Sequence, residues 1–288
     1  MTSVDELRAD SAAPARMNES IGYQPGAYLL ELSLDWIVLR ASQNIHQLLG
    51  HSYHMAVDEP LGRFVHSQAL HDLRNLFSRL SGTTGVARAY RVRLTDDQDL
   101  VDVAFQLSDG RVLLEAVPCA EGHYGEAFGT VGGLISGLAN SSGQALLDGA
   151  ARRMRALTGY DRVTLFSGSA QAESSRGAFP TAAAPETPLP AFVGDCERES
   201  VPVFPRDRPD SSVIGALLRA PDRDASARLR AEGVRATLSV PLTGNDMPGL
   251  FRCDSRVPRK PSFELHAAAD LFAQLFALRL EVDRLRNG

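Results

Sequence analysis

Residues 27–42 read AYLLELSLDWIVLRAS. Two short apolar runs are divided by Ser33-Leu34-Asp35, the pattern of a strand, a turn and a second strand. Just downstream, Ser42 to Leu49 has the length of a short helix, and Gly50 closes it. From Ser67 to Leu80 a longer helix is expected, because Leu70, Leu73, Leu76, Phe77 and Leu80 fall on one face. Strand-like runs follow at residues 87–94, 100–107 and 111–117.

A second series begins with a helix over residues 143–157, where Leu147, Ala150, Met154 and Leu157 step by threes and fours. A strand at 162–166 leads to a stretch rich in Ala, Pro and Ser, expected to be irregular from Ser167 to Asp210. Then come a helix around 225–231, strands at 235–242 and 249–253, and a last helix from Phe263 to Leu285. The glycines of GTVGGLISG (129–137) suit a bend between the two series. The fold class is α+β, with two antiparallel sheets flanked by helices.

Composition agrees with two ordinary soluble domains: 44% of residues are apolar and 23% charged. Thirty basic against 35 acidic residues give a net charge of −5, so no nucleic-acid or anionic-membrane partner is expected. No apolar run reaches the roughly 20 residues that span a bilayer. The opening MTSVDELRADSAAPAR is too polar for a signal peptide and reads as a flexible arm. Cys119, Cys196 and Cys253 are odd in number and have neither disulfide nor zinc spacing, which points to a reducing cytoplasm.

Several segments, taken in order, resemble the PAS–GAF half of bacterial phytochromes. IGYQPGAYLLEL (21–32) resembles that family's IQPHGALL, without the histidine, and VLRASQNIHQLLG (38–50) resembles VLQASEN…LG. LTGYDRVTLF (157–166) is similar to LTGYDRVMVY, and GVRATLSVPL (233–242) to GVRASMSISL. GLFRCDSRVPRKPSFELHAAADLFAQLFALRL (249–280) follows GLIACHHYSPR…YEVR…LSLQL. The resemblance divides the chain into the arm at 1–20, a PAS-like domain at 21–125 and a GAF-like domain at 126–288. It implies a sensory module rather than an enzyme.

The departures from that pattern fall on the bilin site. Family members hold biliverdin through an N-terminal cysteine, yet no cysteine precedes Cys119. The family's PASDIP aspartate matches Ala183, its SPxH histidine Ala225, and its strand tyrosine Phe166. Its paired histidines match Asp254 and Ser255. Arg219, where a propionate-binding arginine often stands, remains with Thr237 and Ser239, and these three can meet a carboxylate. Arg219, Thr237, Ser239 and Phe166 are therefore the candidate remnants of a pocket, expected to be smaller or more apolar than in the bilin-binding relatives.

No resident cofactor is expected, and biliverdin or another tetrapyrrole would be held only non-covalently. Three readings follow: a sensory module that has lost covalent bilin binding, a photoreceptor with a non-covalent bilin, and a ligand-free interaction domain. Ala268, Leu271, Leu275, Leu278, Val282 and Leu285 form a heptad-like seam on the last helix. A homodimer through that helix is expected, with an output domain or signalling partner beyond it. Leu278, Val282 and Leu285 are expected to project past the domain into water.

Other sites are weaker. His46, His51, His54, His66 and His71 cluster in sequence, but a metal needs three or four converging donors, so they read as surface groups. Cys253, in an apolar strand, reads as an inert buried thiol. The insert from Val201 to Arg219 looks short for the loop through which the family threads its N-terminal arm.

Overall fold

The structure, a computed structural model, describes residues 21–80, 85–96, 99–119, 125–185, 189–243 and 249–287. The expected arm at 1–20 lies outside the described residues. The first half comprises β1 (Gly22–Tyr23), β2 (Tyr28–Leu32), β3 (Val38–Ser42), α1 (His46–Leu49), α2 (Tyr53–Ala56) and α3 (Ser67–Phe77). It continues through β4 (Val86–Val92), β5 (Val101–Ser108) and β6 (Arg111–Pro118). The β5–β6 hairpin turns on Asp109 and Gly110, with φ of 47° and 69°, the left-handed pair that a two-residue hairpin demands.

The second half comprises α4 (Gly125–Ser136), α5 (Gly143–Thr158), β7 (Arg162–Ser167), β8 (Ala170–Ser175), β9 (Phe192–Val193) and β10 (Val201–Phe204). It closes with α6 (Arg223–Ala231), β11 (Ala236–Leu242), β12 (Gly249–Ser255) and α7 (Phe263–Asn287). The first sheet runs β1-β10-β3-β2-β6-β5-β4 and the second β8-β7-β12-β11-β9; every pairing is antiparallel.

Side chains alternate between the faces of each strand. On the first sheet Leu30, Val103, Phe105 and Leu114 pack against α1–α3. The opposite face, with Leu29, Ala104 and Leu113, runs into the core of the second sheet, where Val163, Leu165, Val240 and Phe251 meet α5 and α7. The two halves thus share one continuous core.

Two expectations about local structure are corrected. The stretch 167–210 is not wholly irregular, since it contains β8, β9 and β10. β8 reads AQAESS because it is an exposed edge strand with only Ala172 buried, so hydrophobic alternation never marked it. The glycine-rich run 129–137 is mostly helix α4 and not a bend. Val131, Leu134, Ile135 and Leu138 keep helical spacing and pack into the core, while Gly129, Gly132 and Gly133 have open space around them. That packing outweighs the entropy lost by ordering glycine.

The N-terminal segment is held from two sides by the excursion at 192–220. Tyr23 pairs with Val201 on β10, while the Gln24 backbone N–H donates to the Leu218 carbonyl at 3.1 Å. The Gln24 amide donates to the carbonyls of Phe192 and Arg219 and accepts from the Gly194 N–H. β10 also pairs with β3, so this insert welds the two halves together despite its length.

The α7 seam is split. Phe272 and Phe276 are buried and so is Ala268, while Leu275 packs on the core. Leu271, Leu278, Val282 and Leu285 remain exposed, at 37%, 67%, 41% and 76%. The distal half does not simply project. Asp283 is buried and accepts from the Gly143 N–H at 3.0 Å, and Arg279 donates to the carbonyls of Ala139 and Ser141.

Candidate functional site

The face of the second sheet turned away from α5 and α7 is built in rows, because the register of β11, β12, β7 and β8 brings alternate residues side by side. The first row is Thr237, Asp254, Arg162 and Ser175; the second is Ser239, Arg252, Thr164 and Glu173; the third is Pro241, Leu250, Phe166 and Gln171. Nine of these twelve positions are polar, six of them on β7, β11 and β12, whose opposite face is apolar.

The first two rows carry a charge network. Arg162, fully buried, donates through Nε and Nη2 to Asp254 Oδ2 at 2.8 and 2.6 Å, and Nη2 also reaches Glu232 at 2.9 Å. Arg252 donates through Nε to Asp254 Oδ1 at 2.9 Å and through Nη2 to Glu232 at 2.5 Å. Two cations face two anions, and every oxygen of Asp254 is used. Burial raises the Asp254 carboxyl above its ordinary value, opposed by the two guanidiniums. Burial also works against charge on Arg252, but Asp254 and Glu232 carry its pKa above the usual value.

The network pins what lies over the sheet. Arg162 Nη1 donates to the Pro180 carbonyl at 2.6 Å, Arg252 Nη1 approaches that of Ala183 at 3.4 Å, and Phe179 stacks over Arg162 at 4.7 Å. Glu232 is the residue on which α6 ends. Residues 179–185 (FPTAAAP), which include the motif position Ala183, and α6, with Ala225, are thereby fastened to the sheet by side chains.

The sequence-derived remnants separate. Phe166 and Ser239 line an open cavity of about 1130 Å3 beside the third row, which also takes in Leu217, Leu250, Arg88 and His266. Thr237 is buried in the first row with its hydroxyl unpartnered, and does not line the cavity. Arg219 is half-buried against the N-terminal segment, its backbone bridged to Tyr23, and does not join the others. Ala183 is exposed, and Ala225 is buried in the first turn of α6, where its N–H meets the capping Asp222 at 2.6 Å. Four charged groups, Arg162, Arg252, Asp254 and Glu232, meet on this face. Spacing along the chain gave no signal for that network, because Arg162 and Asp254 are 92 residues apart.

Two further buried titratable groups were missed. Glu115, on β6, accepts the Leu217 and Leu218 N–H groups at 2.8 and 2.9 Å and the Tyr23 hydroxyl at 2.8 Å. Burial pushes its pKa up to about 7 against those three donors. His266, on α7, is pushed down to about 3 by burial and by Arg88, which donates to its Nδ1 at 2.7 Å. Cys253 lies on the core face, where burial pushes its thiol far up. Among the described residues no His, Cys, Asp and Glu converge as metal ligands, and no helix is long and apolar enough to cross a membrane.

Solved structures of bacteriophytochromes share this architecture. The chromophore-binding domain of an unusual bacteriophytochrome from R. palustris superposes with a TM-score of 0.75 at 21% identity, over 92% of this chain and 96% of that one. The chromophore-binding domain of Stigmatella aurantiaca phytochrome P1 gives a TM-score of 0.72 at 21% identity, over 91% and 98%. A longer R. palustris bacteriophytochrome structure gives 0.77 at 20% identity over 93% of this chain, which spans 61% of it. No family model matches the sequence, and no curated protein matches it. The fold is that of a bacteriophytochrome chromophore-binding domain.

Proposed function

We propose that this chain is a phytochrome-type sensory module whose own charged side chains stand where a bilin would lie, and that it signals through the terminal helix. The observation that carries the reading is the Arg162–Asp254–Arg252–Glu232 network. A bilin on the first two rows would have to displace it, stripping two buried guanidiniums of their carboxylates, and breaking one such buried pair costs about 3–5 kcal/mol. Within this sequence no cysteine before Cys119 offers a thiol for covalent attachment. No residue cluster in this reading performs catalysis.

Signalling in this account runs through a homodimer. Leu271, Leu278 and Leu285 stand seven residues apart on α7, with Val282 between the last two, and this exposed stripe suits a parallel or antiparallel partner helix. An output domain or signalling partner would receive the signal, in the cytoplasm.

One observation favours a second reading, a photoreceptor with a non-covalent bilin: the cavity at Phe166 and Ser239 is roomy. Co-expression with a biliverdin source, purification and zinc-stained denaturing gels separate the readings at the covalent step. The account expects colourless protein and no fluorescent band. Green protein that loses its pigment on denaturation supports the second reading, and a fluorescent band at the chain's mass overturns the first.

A further inference from the structure

We propose that the cavity where β4, β11 and α7 meet binds a small apolar carboxylic acid, with Arg88 and Ser239 as the donors that hold its carboxylate. The sensory reading enters only as the use to which such binding would be put. At about 1130 Å3 the space is ample for a small molecule, clefts for which span about 300–1000 Å3. Phe166, Leu189, Leu217 and Leu250 supply an apolar wall.

Two side chains lining that space each keep a buried donor atom without a hydrogen-bond partner. Arg88 crosses from the first sheet; its Nη2 donates to His266, its Nη1 approaches the Val86 carbonyl at 3.4 Å, and its buried Nε is unsatisfied. The nearest carboxylate, Asp270, stands 3.8 Å away, beyond hydrogen-bond range. Ser239 is 4% exposed and its hydroxyl is also unsatisfied. It sits on β11 just past Leu238, where pairing with β9 stops. Buried donors left unpaired are costly, and a carboxylate satisfies a guanidinium edge and a hydroxyl together. Burial lowers the Arg88 pKa, with Asp270 only partly opposing it, so an anion there would be welcome.

The charge network confines the guest. With the Arg162–Asp254–Arg252 network filling the first two rows up to Ser239, what remains is the third row, the Ser239 end of the second row and the junction, which favours a compact acid over an extended tetrapyrrole. Arg88 and His266 match none of the bilin residues that the phytochrome resemblance supplies.

Calorimetric titration with decanoate and with decanol tests the proposal on the intact chain. Decanoate should bind one per chain, and decanol about tenfold more weakly or worse. Arg88→Met should bring decanoate down to the decanol level, and Ser239→Ala should weaken it severalfold. Gln274→Trp, at the exposed rim, should weaken both ligands with an unchanged circular dichroism spectrum. No binding of decanoate, or equal binding of the two ligands, overturns the proposal. If Arg88→Met does not fold, unaltered decanoate affinity in both Ser239→Ala and Gln274→Trp overturns it instead. Biliverdin uptake is a separate readout: its appearance would sink the reading that side chains occupy the bilin's place while leaving decanoate binding as measured.

Discussion

Arg162 and Asp254 are cross-strand neighbours on β7 and β12, both wholly buried, with Nη2 and Oδ2 2.6 Å apart. Neither would be tolerated alone. Together with Arg252 and Glu232 they turn a sheet face into a closed, charge-balanced layer.

Removing one member leaves its partners uncompensated. Asp254→Ala strands two guanidiniums and should cost about 3–5 kcal/mol, whereas Glu173→Ala, at the exposed end of the second row, should cost about 0.5 kcal/mol or less. Urea melts of the two variants against the parent check the contrast.

Stability against pH has two opposing contributors. Glu115 is raised to about 7, so its protonated form is favoured in the fold; its contribution is full below its unfolded value of 4.5 and is lost as pH rises through 7. His266 is lowered to about 3, so its contribution is present above its unfolded value of 6.5 and lost as pH falls. Between pH 4.5 and 6.5 the two slopes cancel. Glu115→Gln should therefore gain stability relative to the parent as pH rises across that window and through 7, and His266→Gln as pH falls across it. Denaturant midpoints at half-unit intervals read both slopes.

The exposed stripe of α7 predicts self-association. Leu278→Glu with Val282→Glu should turn a dimer into a folded monomer, since each apolar side chain buried against a partner is worth about 1.5–3 kcal/mol before ordering costs. Light scattering at tens of micromolar checks it, an order-of-magnitude concentration for a moderate interface. A monomeric parent would remove the helix from the signalling account.

Strands β1, β9 and β10 are too short to mark themselves, whereas β2 to β7, β11 and β12 were legible because runs such as Leu29-Leu30 or Val163 and Leu165 obey simple periodicities. β8 was not, because an edge strand such as AQAESS buries too little to mark itself. Helix α4 was obscured by treating glycine as punctuation, although the spacing of Val131, Leu134, Ile135 and Leu138 already carried the answer. For the site, matching residues to a motif pointed to Phe166 and Ser239, which line one cavity, and also to Arg219, which the N-terminal segment claims instead. Arg162 and Arg252 were invisible: an arginine at an alternate strand position reads as solvent-facing until a distant Glu232 and a covering loop bury it.

The central claim is that side chains occupy the bilin's place, and a biliverdin titration of the purified chain tests it most directly. With protein at tens of micromolar, a concentration that saturates any site of low-micromolar affinity, the visible spectrum should remain that of free pigment. A sharpened, red-shifted band that saturates at one pigment per chain would contradict the account.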